Sequence, residues 1–124
     1  MNLKPFWEIL STGLSDQQVF MYHLPDSVAE GVLVLHGAVG AKLDPDLPDY
    51  KRAKLQVIVR SDNYESGYDI AKQVMAVFKA ITRYSDGVML IHFIQPLNDP
   101  ISFPASKGSF TEFSVNFETV YVEH

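Results

Sequence analysis

Three carboxylates within six residues are the densest group of possible metal ligands in the chain. They belong to the segment Asp44-Pro-Asp-Leu-Pro-Asp49, and oxygen ligands of this kind suit calcium or magnesium. The segment lacks the glycine turn and the distal glutamate of a calcium-binding loop, and its two prolines stiffen it. We therefore expect a solvated acidic loop here and no metal site.

The four histidines do not form a metal-binding pattern either. Three lie in or beside predicted strands and the fourth ends the sequence, and their spacings are not those of paired metal ligands. Isolated histidines are usually partly buried polar residues, so we expect no catalytic or metal-binding role for them. The residues are His23, His36, His92 and His124.

The other common catalytic patterns are incomplete. Gly37-Ala-Val-Gly40 is similar to a glycine-rich phosphate-binding turn, but no Gly-Lys-Ser/Thr follows it to open a helix. No serine lies in a glycine elbow, and the chain has no cysteine. The sequence therefore predicts no catalytic residues and no cofactor, and a protein that is not an enzyme.

Length and composition predict one soluble domain covering residues 1–124. The hydrophobic content of 47% is enough for a packed core, and the net charge of −5 argues against binding nucleic acid through a basic face. The absence of cysteine suits a reducing cytoplasm. No apolar run approaches the roughly 20 residues of a membrane span, and the N-terminus lacks the apolar core of a signal peptide. We expect no membrane partner.

Two helices are predicted from apolar residues at helical spacing. The first is short and N-terminal, over residues 3–14, with Asn2 as its cap. The second covers residues 62–84, with Asp62 or Ser61 as its cap and Glu65 completing a capping box. Its apolar stripe is formed by Gly67, Ile70, Ala71, Val74, Val77, Phe78 and Ile81.

Five strands are predicted, over residues 18–24, 31–35, 53–60, 88–95 and 110–122. The run of Val and Leu after Gly31 indicates burial on both faces of its strand. In the last strand Phe113, Val115 and Phe117 alternate with polar residues, whereas the Val-Tyr-Val end at 120–122 breaks the alternation and predicts either a bulge or burial on both faces. Long loops over 37–52 and 96–108 complete the chain.

These elements predict an α+β fold. A mostly antiparallel sheet of about five strands carries a long helix packed on one face, together with the short N-terminal helix.

The stretch from Leu43 to Val74 is the most distinctive part of the sequence. An acidic Asp-x-x-Leu-Pro loop leads into the strand Leu-Gln-Val-Ile-Val-Arg60, and a short turn with Tyr and Gly then opens the amphipathic helix. This order, together with the closing strand Phe-Ser-Val-Asn-Phe-Glu118, resembles the minor capsid or tail-terminator (tail-completion) proteins of long-tailed bacteriophages. The resemblance covers most of the chain from about Gly31 onward.

The resemblance implies a structural role in the virion. Proteins of this family form a ring, commonly of six copies, that sits on the last ring of tail-tube protein, stops tube growth and presents a surface to the head-completion or connector protein. Phage DNA only passes through the lumen. The resemblance places the protein in the tail or neck of the virion, after assembly in the bacterial cytoplasm, and it brings no catalytic residues.

The N-terminal helix and the two long loops are the predicted contact regions, because short turns would suffice to connect neighbouring strands. We expect them to reach neighbouring subunits or the tail tube. The residues are Phe6, Trp7, Asp44, Asp46, Leu47, Asp49, Tyr50, Arg52, Asn98, Asp99, Phe103 and Lys107.

Two other interpretations stay open on sequence alone. One is a small non-viral binding or regulatory module that acts as a monomer or dimer, which no motif excludes. The other is a small enzyme that uses the acidic loop with a metal, which the absence of a convergent His/Asp/Glu set disfavours.

Overall fold

The computed structural model describes residues 1–37, 42–43, 50–104 and 110–123. Within these residues the chain has two α-helices and an eight-stranded sheet. The helices are α1 (Lys4–Gly13) and α2 (Tyr64–Lys79). The strands are β1 (Val19–Met21), β2 (Gly31–His36), β3 (Lys42–Leu43), β4 (Tyr50–Ser61), β5 (Tyr84–Ser85), β6 (Met89–Pro96), β7 (Ile101–Pro104) and β8 (Thr111–Glu123).

Two long strands, β4 and β8, form the centre of the sheet. They pair antiparallel from Tyr50 opposite Val122 to Ser61 opposite Thr111. The other side of β4 pairs with β2 and β3, and the other side of β8 pairs with β6 and β7. At the margins, β1 lies parallel to β2 and β5 lies antiparallel to β6. The predicted mostly antiparallel sheet is confirmed, with more strands than expected.

Three strands were not predicted, namely β3, β5 and β7. The first two have two residues each, too few for an alternating pattern. The third lies inside the predicted loop 96–108, where Pro100 and Pro104 obscured a four-residue strand. Proline is tolerated on an edge strand because one side of that strand needs no N–H donor.

Helix α2 is shorter than predicted and begins at a different cap. Its N-cap is Asn63, whose side chain accepts a hydrogen bond from the Ser66 amide at 2.8 Å, so the predicted capping box on Asp62 is wrong. The helix ends at Lys79 with Ala80 as its C-cap, and Tyr84, the last residue of the predicted helix, pairs with β6 instead. The long helix of the prediction thus has 16 residues.

Helix α2 packs against β4, β6 and β8 and covers one face of the sheet, as predicted. Phe78 is fully buried, and its ring meets those of Phe6 and Phe117 edge to face, with centroids 6.4 and 5.0 Å away. A Cβ atom added to Gly67 would lie 2.8 Å from Cε1 of Phe113, so glycine permits the close approach of α2 to the sheet. The stripe buries Gly67, Ile70, Ala71, Val74 and Phe78, and leaves Val77 and Ile81 half-buried.

Helix α1 forms where predicted and packs on α2 and β1, but its N-cap is Leu3 and not the predicted Asn2. The burial of β2 on both faces is also confirmed, since residues 31–34 are all buried. The bulge expected in β8 lies instead in its partner, because the register shifts between Ile91 and Phe93 of β6. Alternation in β8 is unbroken, since Thr119 and Tyr121 continue the buried series. Within the described residues, neither helix has the length and apolarity to cross a membrane.

Candidate subunit interface

The face of the sheet opposite the helices, here called the open face, carries a ladder of polar pairs across β4 and β8. The register sets Gln56 and Arg60 directly opposite Asn116 and Glu112, and it sets Arg52 opposite Val120, two residues from Glu118. Each of the three side chains on β4 bonds to a polar side chain on β8. The bonds are Arg60 Nε to Glu112 Oε2 (3.0 Å), Gln56 Nε2 to Ser114 Oγ (3.0 Å) and Arg52 Nη1 to Glu118 Oε1 (2.6 Å).

The Arg60–Glu112 pair is the most enclosed part of this ladder. Both side chains are 13% exposed, and Arg60 Nη1 also donates to the carbonyl oxygens of Pro25 (2.9 Å) and Val28 (3.1 Å). These bonds hold the connection between β1 and β2 over the end of the open face. Because the guanidinium is satisfied from several sides, the pair fixes the local geometry instead of exposing a free charge.

An apolar depression of about 350 Å³ lies beside the ladder on the same face. Leu33, Leu35 and Ile58 form its floor, and Tyr22 and Phe103 stand at its sides. Tyr22 is 61% exposed, and its ring centroid lies 6.0 Å from that of His36. An apolar patch with aromatic residues, rimmed by polar pairs, is the composition of a protein interface.

The N-terminal residues that the sequence assigned to an interface are used within the subunit. Phe6 has no exposed surface and packs on Phe78. The indole Nε1 of Trp7 donates to the carbonyl oxygen of Val19 at 2.6 Å. In the subunit these two side chains anchor α1 to α2 and to β1.

Three other predicted contact residues share the open face. Tyr50 lies on the same face of β4 as the ladder residue Arg52, and the Tyr50 ring stacks on His92 with centroids 4.9 Å apart. Phe103 lies opposite Glu112 in the β7–β8 pairing and borders the apolar depression. Residues from both predicted contact loops thus lie on the open face, but near opposite ends of β8.

Asn98 and Asp99 form a small excursion between β6 and β7. Asn98 Oδ1 accepts from the amide of Asn116 at 2.9 Å, which replaces a missing backbone bond of the β8 ladder. Asp99 Oδ1 lies 3.5 Å from Lys72 Nζ on α2. The remaining predicted contact residues, Asp44, Asp46, Leu47, Asp49 and Lys107, lie outside the described residues.

The sequence does not indicate the ladder or the floor of the depression as a site. The alternation of β4 and β8 placed their polar residues on the face away from the core, which the structure confirms. The partners of each residue depend on strand register, which the alternation leaves undefined. The residues missed are Tyr22, Leu33, Leu35, Gln56, Ile58, Arg60, Glu112, Ser114 and Glu118.

Chemistry at single groups in the described parts of the chain is limited. No three His, Cys, Asp or Glu side chains among those residues lie close enough to hold a metal ion. The pKa of Asp86 is lowered by hydrogen bonds from the amides of Met89 and Val88. Burial raises the pKa of Tyr121, whose hydroxyl oxygen finds no hydrogen-bond partner among the described residues.

Comparison with solved structures finds the same fold in other proteins. A chain from the virion of a native gene transfer agent particle superposes with a TM-score of 0.65 at 14% identity, covering 93% of this chain and 84% of that one. A second solved chain, whose name describes no function, gives a TM-score of 0.50 at 15% identity, covering 100% and 96% respectively.

Comparison with sequences gives the family. No curated protein sequence matches the chain significantly. The family model described as bacteriophage tail terminator protein matches residues 9–123, which is nearly the whole chain. The chain therefore belongs to the bacteriophage tail terminator protein family.

Proposed function

We propose that this protein is the subunit of a closed ring of six copies that caps the tail tube, ends tail elongation and provides the surface to which the head joins. The observation that carries the proposal is the match of the tail terminator family to residues 9–123. A ring forms when one surface of a subunit binds a different surface of the next copy and the rotation closes.

The geometry of the open face supports the proposal. Both helices lie on the other side of the sheet, so the ladder and the apolar depression are left for a partner. The ladder holds its side chains in place before any contact is made, so docking on it costs less side-chain entropy than docking on free side chains. Tyr22 and Phe103 are aromatic residues of the kind that dominate interface energetics.

The charge of the chain supports passage of DNA through the ring without binding. Each arginine of the ladder is paired with a glutamate, and the chain as a whole carries −5. A subunit with this net charge offers passing DNA no strongly basic surface. We further propose that the protein is not an enzyme, that its partners are itself, the tail-tube protein and the head-completion protein, and that it resides in the neck of the virion, in keeping with the particle from which the similar chain comes.

Inactivation of the gene in its phage tests the proposal. Electron micrographs of the resulting particles should show overlong tails or tails without heads, and expression of the wild-type chain in trans should restore tails of fixed length. Tails of normal length joined to heads would contradict the proposed role.

A pair of matched substitutions connects that phenotype to the open face. Tyr22→Asp places a charge in the apolar depression and should fail to complement. Tyr64→Asp makes the same change at a similarly exposed tyrosine on the helical side and should complement. Thermal unfolding of both purified variants verifies that each is folded. Equal complementation would show that the open face is not required.

A further inference from the structure

The two lateral edges of the sheet differ in how their backbone groups are occupied. At the β1 edge the carbonyl oxygens of Val19 and Met21 are both satisfied inside the subunit. Trp7 Nε1 donates to the first at 2.6 Å, and the amide of His23 donates to the second at 2.8 Å. This edge has no free acceptor left at those positions, so it is closed to a further strand.

The opposite edge is open along β6. Strand β5 covers two residues of β6, and residues 92–96 have no strand partner on that side among the described parts of the chain. The Leu97 amide donates to the carbonyl oxygen of Asn116 in β8 at 2.7 Å. Because antiparallel ladders alternate, the N–H and carbonyl of Ile94 therefore point away from β8.

Strand β7 extends this edge in the same line. Strands β7 and β6 pair with the same side of β8, β7 near its start and β6 near its end. The alternation of the ladder points the backbone N–H and carbonyl of Ser102 away from β8. Apolar side chains lie along the edge, with Leu97 47% and Ile101 55% exposed. Residues 88–97 include no Lys, Arg, Asp or Glu, although charged side chains are the usual protection of an exposed edge strand.

A groove of about 500 Å³ runs beside the exposed part of β6. Its far wall is formed by the end of α2 and the turn that follows it, with Lys79, Ile81 and Thr82 lining it. Lys79 and the exposed Arg83 form no ion pair within the described residues. The groove therefore combines free backbone groups, a lining of mixed polarity and a positive rim.

We propose that this β6 edge binds an extended segment of a second copy of the chain by strand addition. The inference rests on the proposed ring and identifies one of its contact surfaces. Free backbone N–H and carbonyl groups bind an extended segment, and the positive rim complements a copy whose net charge is −5. Because the β1 edge is closed, the segment that docks is not β1.

Hydrogen exchange combined with mass measurement tests the proposal on the purified full chain. Sedimentation over a range of protein concentrations should show assemblies larger than the 14.0 kDa subunit. In the assembled fraction the amide of Ile94 should exchange at least about tenfold more slowly than in the monomer. A chain that stays monomeric at every soluble concentration, or an Ile94 amide that exchanges equally in both states, overturns the proposal.

Two substitutions with matched controls locate the contact. Gln95→Lys adds a charge to the exposed edge and Lys79→Glu reverses the rim, and each should raise the dissociation constant of the assembly about tenfold or more. Gln73→Lys and Gln73→Glu add a charge of either sign at an exposed position of α2 away from the edge and should leave it unchanged. Equal effects of test and control variants would also overturn the proposal.

These experiments separate the inference from the proposed function. Protection of the β6 edge together with normal tails after gene inactivation would retain the contact and reject the terminator role. Overlong tails together with an unprotected edge would retain the terminator role and reject the contact. Protection of the edge by tail-tube protein but not by a second copy would assign the groove to the tube and reject the inference.

Discussion

The indole nitrogen of Trp7 lies 2.6 Å from the carbonyl oxygen of Val19 and donates a hydrogen bond to it. This bond attaches α1 to the β1 edge of the sheet and, together with the bond from the His23 amide to the Met21 carbonyl oxygen, occupies the outward acceptors of that edge. A helix residue twelve positions earlier in the chain thus limits where a second chain can add a strand.

Trp7→Phe should lower the free energy of unfolding by about 1–2 kcal/mol, because the carbonyl of Val19 loses its partner in a partly buried position. Denaturant unfolding followed by circular dichroism measures the change, since Trp7 is the single tryptophan and its fluorescence disappears with the substitution. Tyr22→Phe, which removes an exposed hydroxyl, is the control and should change little. Equal stability of Trp7→Phe and wild type would contradict the role given to the bond.

Phe78→Ala should destabilise the subunit by about 3–5 kcal/mol, because the ring is fully buried between Phe6 and Phe117. The neighbouring Lys79→Ala, at an exposed position, should change stability by less than about 0.5 kcal/mol. Thermal unfolding of the two variants is the measurement. An unchanged melting temperature for Phe78→Ala would refute the packing of α2 on the sheet.

Removal of two different hydroxyl groups on β8 should have different effects on the stability of the subunit. The hydroxyl of Tyr121 is buried and finds no partner among the described residues, so Tyr121→Phe should leave stability unchanged or raise it. Thr119 Oγ1 donates to the carbonyl oxygen of Phe93 at 2.8 Å beside the bulge, so Thr119→Val should cost about 1 kcal/mol. Chemical denaturation compares them, and a loss for Tyr121→Phe as large as that for Thr119→Val would contradict the assignment.

Acid should weaken the turn between β5 and β6 through Asp86. The amides of Met89 and Val88 hold the pKa of this carboxylate below its ordinary value of 3.8, so the folded state binds the proton less readily than the unfolded state. The stabilisation is complete above that ordinary value and is lost as the pH falls through the lowered pKa.

Melting temperatures from about pH 7 to about pH 2 measure this contribution. Asp86→Asn should reduce the decline in stability at the acidic end, and Asp16→Asn at an exposed position should not. The same dependence of melting temperature on pH in wild type and Asp86→Asn would contradict the stabilising role given to the Asp86 carboxylate.

The sequence predicts the elements with strong periodicity and fails where tertiary pairing decides. The stripe from Gly67 to Phe78 and the alternation of β8 identify the core side of each element, because burial imposes their period. The parallel pairing of β1 with β2 and the short strands β3, β5 and β7 depend on partners distant in the chain. The bulge was expected in β8 because its end is apolar, yet the extra residue lies in β6.

The candidate interface was predictable only in part, because it also depends on which strands pair in the folded chain. Tyr50, Arg52 and Phe103 were selected from the long loops and lie on or beside the open face. Phe6 was selected from an amphipathic helix, whose apolar side cannot be distinguished from a contact surface without knowing what covers it. The open edge of β6 has no sequence signal beyond the absence of charge over residues 88–97, because an edge is defined by the partner that a strand lacks.

Imaging of isolated tails by cryo-electron microscopy tests the central claim most directly. The account predicts one closed ring of six copies of this chain at the head-proximal end of each tube, with the β6 edge of every subunit against its neighbour. Absence of the chain from the tail, or its presence along the tube instead of at one end, would contradict the account.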